Sequence, residues 1–345
     1  LDGGLAALEA VGLRVGIGVQ PMLAASAPDP STAVGKTGLP VLVDHKLDGI
    51  RVQVHRSGDE VWIFTRSLDD ITARLPEVAA AVRALPQQAL VLDGEVLSLR
   101  GDGSPEAFQV VASRTMSAVD PAASAQAGPL QVYFFDLLHV DGRDLLDTPL
   151  RDRFAVMQAL LPATLTVPRA VCATPDEVTA RFAAAVTGGY EGVVIKNLAA
   201  PYAAGRRDAA WLKIKPRHTF DLVVTAAEWG HGRRQGWLSN LHLAARDPET
   251  GDLIMLGKTF KGLTDELLTW QTKEFLAREV RRDSYTVYLE PTMVVEIACD
   301  GLQISTRYPG GVALRFARVL RYRPDKSAAE ADTLETVKAL SPILG

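Results

Sequence analysis

The sequence predicts an α+β region followed by a smaller all-β barrel, and three observations carry that reading. The chain has 345 residues with 47% hydrophobic content, enough to fill more than one core. Its longer first part alternates β-type runs with helical patterns. Beyond Pro216 the texture changes to short strands separated by Gly-rich turns, with a single helical insert.

Residues 1–20 open with an apolar, helix-like run and then carry Gly12, Gly16 and Gly18, so they read as the trailing end of an upstream element. Pro21-Met22-Leu23 and the Pro/Gly/Ser-rich stretch over 26–40 predict an extended lead-in. Strands are expected over 41–43, 50–55, 60–65, 89–99 and 130–138. Apolar residues recur at helical spacing over 75–85. Pro175-Asp176-Glu177 gives the acidic first turn that suits a helix N-terminus, with the helix running to 186. Two more strands, 193–196 and 211–215, close the first region at Pro216. Further strands are expected over 221–227, 240–246, 253–258, 287–288 and 293–297, with a helix over 264–281. About five strands and one helix is the pattern of a small Greek-key barrel of the oligonucleotide-binding type. Residues 327–345 read as a C-terminal helix or tail, and no internal repeat stands out.

Composition excludes several classes. No apolar run approaches the roughly 20 residues needed to cross a bilayer, and residues 1–4 lack a basic n-region and an apolar h-region. Cys172 and Cys299 are the only cysteines and form no C-x-x-C pair, which argues against a disulfide scaffold or a cysteine zinc site and for a cytoplasmic setting. The six histidines show no metal-ligand spacing. Gly35-Lys36-Thr37 and Gly257-Lys258-Thr259 are not phosphate loops, because Pro30 and Asp252 stand where the first glycine is required. The net charge of −4 is unevenly spread. Residues 1–216 carry 20 basic and 24 acidic side chains, whereas 217–326 carry 16 and 14. Arg315, Arg318, Arg321, Arg323 and Lys326 concentrate near the end of the second part, a local surface that can bind phosphates despite the negative total.

The sharpest feature is Asp44-His45-Lys46-Leu47-Asp48-Gly49-Ile50-Arg51, where a lysine leaves one apolar strand and an Asp-Gly turn leads into the next. K-x-D-G alone is also an ordinary hairpin turn. Its companions are Asp93-Gly94-Glu95, Glu191-Gly192-Val193-Val194-Ile195-Lys196 and Trp211-Leu212-Lys213-Ile214-Lys215. All four place ionisable groups in or beside apolar strands. Isolated charges there are costly, so the side chains should converge and compensate one another around a ligand or metal.

From about residue 20 to 326, these motifs in this order resemble the covalent nucleotidyltransferases, and specifically the ATP-dependent DNA ligases of the bacterial ligase B and archaeal/eukaryotic type. The resemblance implies an adenylation domain of antiparallel sheets with flanking helices over 21–216. It also implies an all-β OB-fold domain over 217–326, and makes 1–20 the remnant of an upstream helical DNA-binding domain or linker. It casts Lys46 as the adenylated lysine and places Asp44 where an acceptor reads the adenine amino group, although Asp stands in place of the usual Glu. Arg51 and Arg66 match arginines that engage the nucleotide and the phosphate of the nicked end. Glu95 matches a carboxylate near the ribose and metal, Glu191 a second metal-site carboxylate, and Phe135 the aromatic that stacks on adenine. Arg207, Lys213 and Lys215 match the basic residues around the triphosphate. Arg315, Arg318, Arg321 and Lys326 match the final motif, which contacts pyrophosphate or DNA, with Ala317 in place of its usual proline.

The implied reaction uses ATP and Mg²⁺, with AMP carried on Lys46 and passed to nicked double-stranded DNA. The chain is expected to act as a monomer near the nucleoid, with no membrane partner, in DNA repair, replication or recombination. A lysine amine is nucleophilic only when unprotonated, and a reference pKa of about 10.4 leaves on the order of one in a thousand in that form at pH 7. Burial and nearby cations, Lys213 and Lys215 included, are therefore expected to lower the pKa of Lys46. The second domain, hinged near 216–219, is expected to alternate between nucleotide and DNA. Gly230-His231-Gly232-Arg233-Arg234-Gln235-Gly236 reads either as a DNA-backbone contact or as a plain exposed hairpin turn. An RNA ligase or a messenger-RNA capping guanylyltransferase shares K-x-D-G. A non-catalytic nucleic-acid-binding module would not need Lys46, Glu95 and Glu191 together.

Overall fold

In a computed structural model, residues 12–340 are described except for 102, 107, 109, 110 and 113–129. The helix-like run at the start of the sequence and the last residues of the expected C-terminal tail lie outside them. The chain divides into two compact units, Leu1–Lys215 and Pro216–Gly345.

In the first unit the chain runs through β1 (Leu23–Ser26), α1 (Pro30–Thr37), β2 (Val41–His45), β3 (Ile50–Ser57), β4 (Glu60–Thr65), α2 (Pro76–Arg83) and β5 (Ala89–Ser98). It continues through β6 (Leu130–Val140), β7 (Arg143–Asp144), α3 (Leu150–Leu160), β8 (Arg169–Cys172), α4 (Pro175–Thr187), β9 (Val193–Asn197) and β10 (Arg207–Ile214). One five-stranded sheet has the order β1-β10-β9-β2-β8 and the other β4-β3-β5-β6-β7. All pairings are antiparallel except β1 with β10.

Alternation along the strands decides what each face holds. In the first sheet Val41, Val43, Val193, Ile195, Leu212 and Ile214 pack against Ala33 of α1 and Val178 and Ala185 of α4. In the second, Val52, Val54, Leu92, Val96 and Phe134 pack against Val78 and Val82 of α2 and Met157 of α3. The opposite faces carry Asp44, Lys196, Trp211 and Lys213 from one sheet and Arg51, Gln53, His55, Asp93 and Glu95 from the other. The register keeps the latter side by side, with Arg51 opposite Glu95 and Gln53 opposite Asp93. Met22, Val91, Leu138, Tyr202 and Trp211 form a smaller apolar cluster.

Two expectations are corrected here. The stretch over 26–40 is not wholly extended, because 30–37 is the helix α1. Asp29 caps it by accepting from Thr32 N at 2.7 Å, proline occupies its first turn, and Gly38 ends it at φ 73°. Its flanking lead-in also supplies β1, whose partner β10 lies far along the sequence.

The second unit comprises β11 (His218–Trp229), β12 (Leu238–Arg246), β13 (Leu253–Thr259), α5 (Asp265–Ala277), β14 (Glu279–Arg282), β15 (Thr286–Leu289), β16 (Val294–Cys299), β17 (Gly301–Ile304), β18 (Val312–Arg315), β19 (Arg318–Tyr322) and α6 (Leu334–Lys338). The long strand β11 organises it, pairing β12 along one edge and β16 then β15 along the other, while β19 extends from β16. Leu268 and Phe275 of α5 enter the barrel core beside Leu222, Leu243, Val287 and Ile297. The helix expected to reach 281 ends at Ala277. Residues 279–282 form the edge strand β14 instead, because they find a partner in β15. The result is an OB-fold-type barrel elaborated by one helix and a short β17–β18 pair.

Candidate active site

Lys46 follows the last residue of β2, and its backbone is pinned on both sides. Lys46 N donates to Gly192 O at 2.8 Å and Glu191 N donates to Lys46 O at 3.1 Å, so the lysine is seated against the turn that enters β9. Glycine is required at 192, where φ is 136° and a Cβ would lie 2.1 Å from Ile214 O. Gly49 is required for a different reason: a Cβ there would lie 2.2 Å from Val96 O, while its N–H donates to Glu95 Oε1 at 3.0 Å. The K-x-D-G turn is thereby fixed against β5.

The Lys46 ammonium pairs with Glu191, which also pairs with Lys215, and it donates to Leu47 O at 3.2 Å. Burial favours its neutral form, but Glu191, Glu95 and Asp48 together outweigh burial and hold its pKa above the ordinary value. The expectation of a lowered pKa is therefore corrected: Glu191 pairs directly with the ammonium, and Glu95 and Asp48 add to its pull. For Lys213 the balance is the opposite: burial, then Lys215, Lys46 and Arg207, push its pKa down. Desolvation raises Glu95 to about 7 against the pull of Lys46, the Gly49 N–H and Arg51.

A cleft of about 460 Å³ opens above the lysine, within the size range of small-molecule sites. Its lining brings together Asp44, Lys46, Arg51, Arg66, Glu95, Phe135, Arg207 and Lys213, while Glu191 joins through its ion pair with Lys46 and Lys215 through its ion pair with Glu191. Arg51 is clamped by Asp93, with Nε to Oδ1 at 3.0 Å and Nη2 to Oδ2 at 2.6 Å, and donates from Nη1 to Met22 O at 2.6 Å. Tyr202 completes that clamp by donating to Asp93 Oδ2 at 2.6 Å.

At the other end Asp44, only 2% exposed, takes Arg169 Nη2 at 2.6 Å and Lys196 Nζ at 2.8 Å on the same oxygen, Oδ2. Lys196 is fully buried, and burial together with Arg169 pushes its pKa down against Asp44. Its ammonium stands 4.6 Å from the Phe135 ring centre and 4.1 Å from that of Trp211. Asp93, Arg169, Lys196, Trp211 and Tyr202 were not among the sequence candidates. Asp93, Lys196 and Trp211 stood inside quoted motifs, whereas nothing in the sequence pointed to Arg169 or Tyr202.

Arg315, Arg318, Arg321 and Lys326 all lie in the second unit. Arg318 is exposed on β19, Arg321 donates to Glu296 at 2.5 Å, and Lys326 donates to Asp221 at 2.6 Å. The Arg315 guanidinium sits 5.9 Å from the Phe316 ring centre. Among the described residues no group of three or more His, Cys, Asp or Glu side chains forms a metal site by itself. Among the described residues no helix is long and apolar enough to cross a membrane.

Two sheets of mostly antiparallel strands facing across a lysine-bearing cleft, with an OB-fold-type barrel after them, define a nucleotidyltransferase core of the ligase class. Residues 21–215 match the ATP dependent DNA ligase domain and residues 234–326 the ATP dependent DNA ligase C terminal region, and the chain belongs to that family. It is 59% identical over 337 residues to a probable DNA ligase of Nocardioides sp., covering 97% of this chain and 65% of that protein. It is also 59% identical over 341 residues to one from Beutenbergia cavernae, covering 98% and 66%. The chain thus spans just under two thirds of the length of these relatives. Among solved structures, Pmar-Lig_PreS3 shares the fold at a TM-score of 0.66 with 24% identity, covering 88% of this chain and 68% of that one.

Proposed function

We propose that this protein seals nicks in duplex DNA with ATP, through a lysine–AMP intermediate on Lys46. The observation that carries the reading is the seating of Lys46 between Glu191 and Glu95 at a nucleotide-sized cleft lined by Phe135 and Trp211 and by Arg51, Arg66, Arg207 and Lys213. Phe135 offers a ring for the adenine, and Asp44 an acceptor for its amino group. Arg51 and Glu95 face the ribose. Arg207, Lys213 and Lys215 receive the triphosphate, and Arg66 the phosphate of the nicked end.

Lys46 Nζ attacks the α-phosphorus, so a P–N bond forms as the bond to the β-phosphate oxygen breaks, and the pyrophosphate formed leaves toward the basic residues. The DNA 5′-phosphate then takes AMP from the lysine. Attack by the 3′-hydroxyl on that activated phosphate makes the phosphodiester and expels AMP. Arg315, Arg318, Arg321 and Lys326 are proposed to contact pyrophosphate or DNA.

Glu95 and Glu191 suit Mg²⁺, which is commonly held by one or two carboxylates with substrate phosphates completing its shell. Glu95 is desolvated enough to titrate near neutrality, and Glu191 already gathers the ammonium groups of Lys46 and Lys215, so both have reason to take a cation. Bound there, the ion supplies electrostatic stabilisation of the phosphoryl charge. Were the carboxylates so engaged, less negative charge would hold Lys46 protonated, and burial would favour the free amine.

The test is intact mass after incubation with Mg²⁺ and ATP, GTP or NAD, beside Lys46→Ala, with pyrophosphate treatment first to clear resident AMP. A gain of one AMP with ATP alone, absent from the variant and transferred to a 5′-phosphorylated nick, is the expected result. No adduct, or a guanylate adduct, would overturn the reading.

A further inference from the structure

We propose that Arg169 is a positioning residue for purine selection, acting through Asp44 and Phe135; the inference rests on the adenylation reading above. Arg169 stands directly opposite Asp44 in the β2–β8 register. One guanidinium nitrogen, Nη2, donates both to Asp44 Oδ2 at 2.6 Å and to Phe135 O at 2.9 Å. Lys196 repeats the bridge from the other side, reaching Asp44 Oδ2 at 2.8 Å and Phe135 O at 3.2 Å. The two cations therefore tie the carboxylate of one sheet to the backbone of the aromatic residue of the other.

Both bonds fall on the same carboxylate oxygen. Asp44 Oδ1 is left buried with no partner, in a residue that lines the cleft. An unsatisfied buried acceptor is costly, and a ligand donor relieves it. A 6-aminopurine brings an N–H donor, whereas a 6-oxopurine brings a second acceptor and meets repulsion. Arg169 does not line the cleft, so it touches neither base nor phosphate. Its part, shared with Lys196, is to turn Oδ2 away as the occupied oxygen and present Oδ1 as the free acceptor, while holding the Phe135 backbone at the height from which its ring meets the base. A lone structural ion pair would not need the second bond to Phe135 O.

The experiment compares self-nucleotidylation of the wild-type chain, Arg169→Met and Arg169→Lys with ATP and with GTP, after pyrophosphate treatment. Rates are resolved into kcat and KM, and folding is checked by thermal melting. In Arg169→Met the ratio of kcat/KM for ATP over GTP is expected to fall at least about tenfold, through a higher KM for ATP with kcat within about twofold. Arg169→Lys, which keeps one donor, should recover part of the ratio. A folded Arg169→Met that keeps the wild-type ratio overturns the proposal. If that variant fails to fold, an unchanged ratio in Arg169→Lys overturns it equally, and a ratio lowered by about threefold or more supports it. Absence of any Lys46 adduct on the wild-type chain is the separate failure of the adenylation reading, and would remove the proposal with it.

Discussion

Acidification should loosen the first unit through His55, a buried imidazole outside the cleft. Gly16 N donates to His55 Nδ1 at 3.1 Å, so that nitrogen carries the lone pair and Nε2–H donates to Gln53 Oε1 at 2.9 Å. Gln53 in turn holds Val19 by both its groups, Oε1 from Val19 N at 2.7 Å and Nε2 to Val19 O at 3.1 Å. The neutral ring is thus one anchor of the segment that precedes β1. Burial, and then His139, lower its pKa from 6.5 to about 4. Because the folded value lies below the unfolded one, the stability is fully present above pH 6.5 and is lost as pH falls through 4.

That shift of roughly 2.5 units corresponds to about 3 kcal/mol in all, of which about 2 kcal/mol is gone by pH 5. Urea unfolding of the wild-type chain and His55→Asn at pH 7.5 and pH 5.0 measures it. Asparagine keeps an acceptor close to the Nδ1 position but cannot take the proton. The variant should be less stable at pH 7.5, yet lose about 2 kcal/mol less than wild type on acidification. Glu95, raised to about 7, gains a proton in the same interval in both proteins, stabilises both, and cancels in the difference. Parallel losses, equal within about 0.5 kcal/mol, would refute the assignment of a neutral, acid-labile His55.

Two further outcomes follow from packing. Gly192→Ala puts a Cβ 2.1 Å from Ile214 O at a φ of 136°, so the turn must move and carry the Lys46 N to Gly192 O bond with it. Self-adenylation should fall at least about a hundredfold, since misplacement by about 1 Å is enough for that; wild-type rates in a stable variant would show that this turn does not seat the lysine. Arg153→Met removes both bonds to Asp136, at 2.8 and 2.9 Å, and leaves a carboxylate 2% exposed without its partner. Chemical denaturation should register a loss of about 3–5 kcal/mol, with the KM for ATP unchanged among the molecules that remain folded; a loss under about 1 kcal/mol would contradict it.

Much of the candidate site was legible because its residues announce themselves locally. Charges embedded in apolar strands are improbable unless they converge, and the four motifs that contain them converge on one cleft. The alternation of β2, β3, β9 and β10 was equally readable, and it determines which side chains face away from the helices. Less legible were segments whose conformation is set by a distant partner. β1 exists through pairing with β10, and β14 through pairing with β15, against a sequence that continues the preceding helical pattern. Helix α1 shows the reverse failure, since Asp29, Pro30 and Gly38 mark its ends locally but were read as loop residues.

By itself, then, the sequence determined the α+β-then-barrel order, the lysine-centred motifs and the family, because these depend on residue types at short spacing. Only the tertiary structure decided that Asp93 and Tyr202 clamp Arg51, that Arg169 and Lys196 share one oxygen of Asp44, and that Glu191, Glu95 and Asp48 hold the pKa of Lys46 up. Each of these depends on Coulomb and hydrogen-bond distances of a few ångströms between residues as far apart in the chain as Asp44 and Lys196, and such distances exist only once the two sheets have packed.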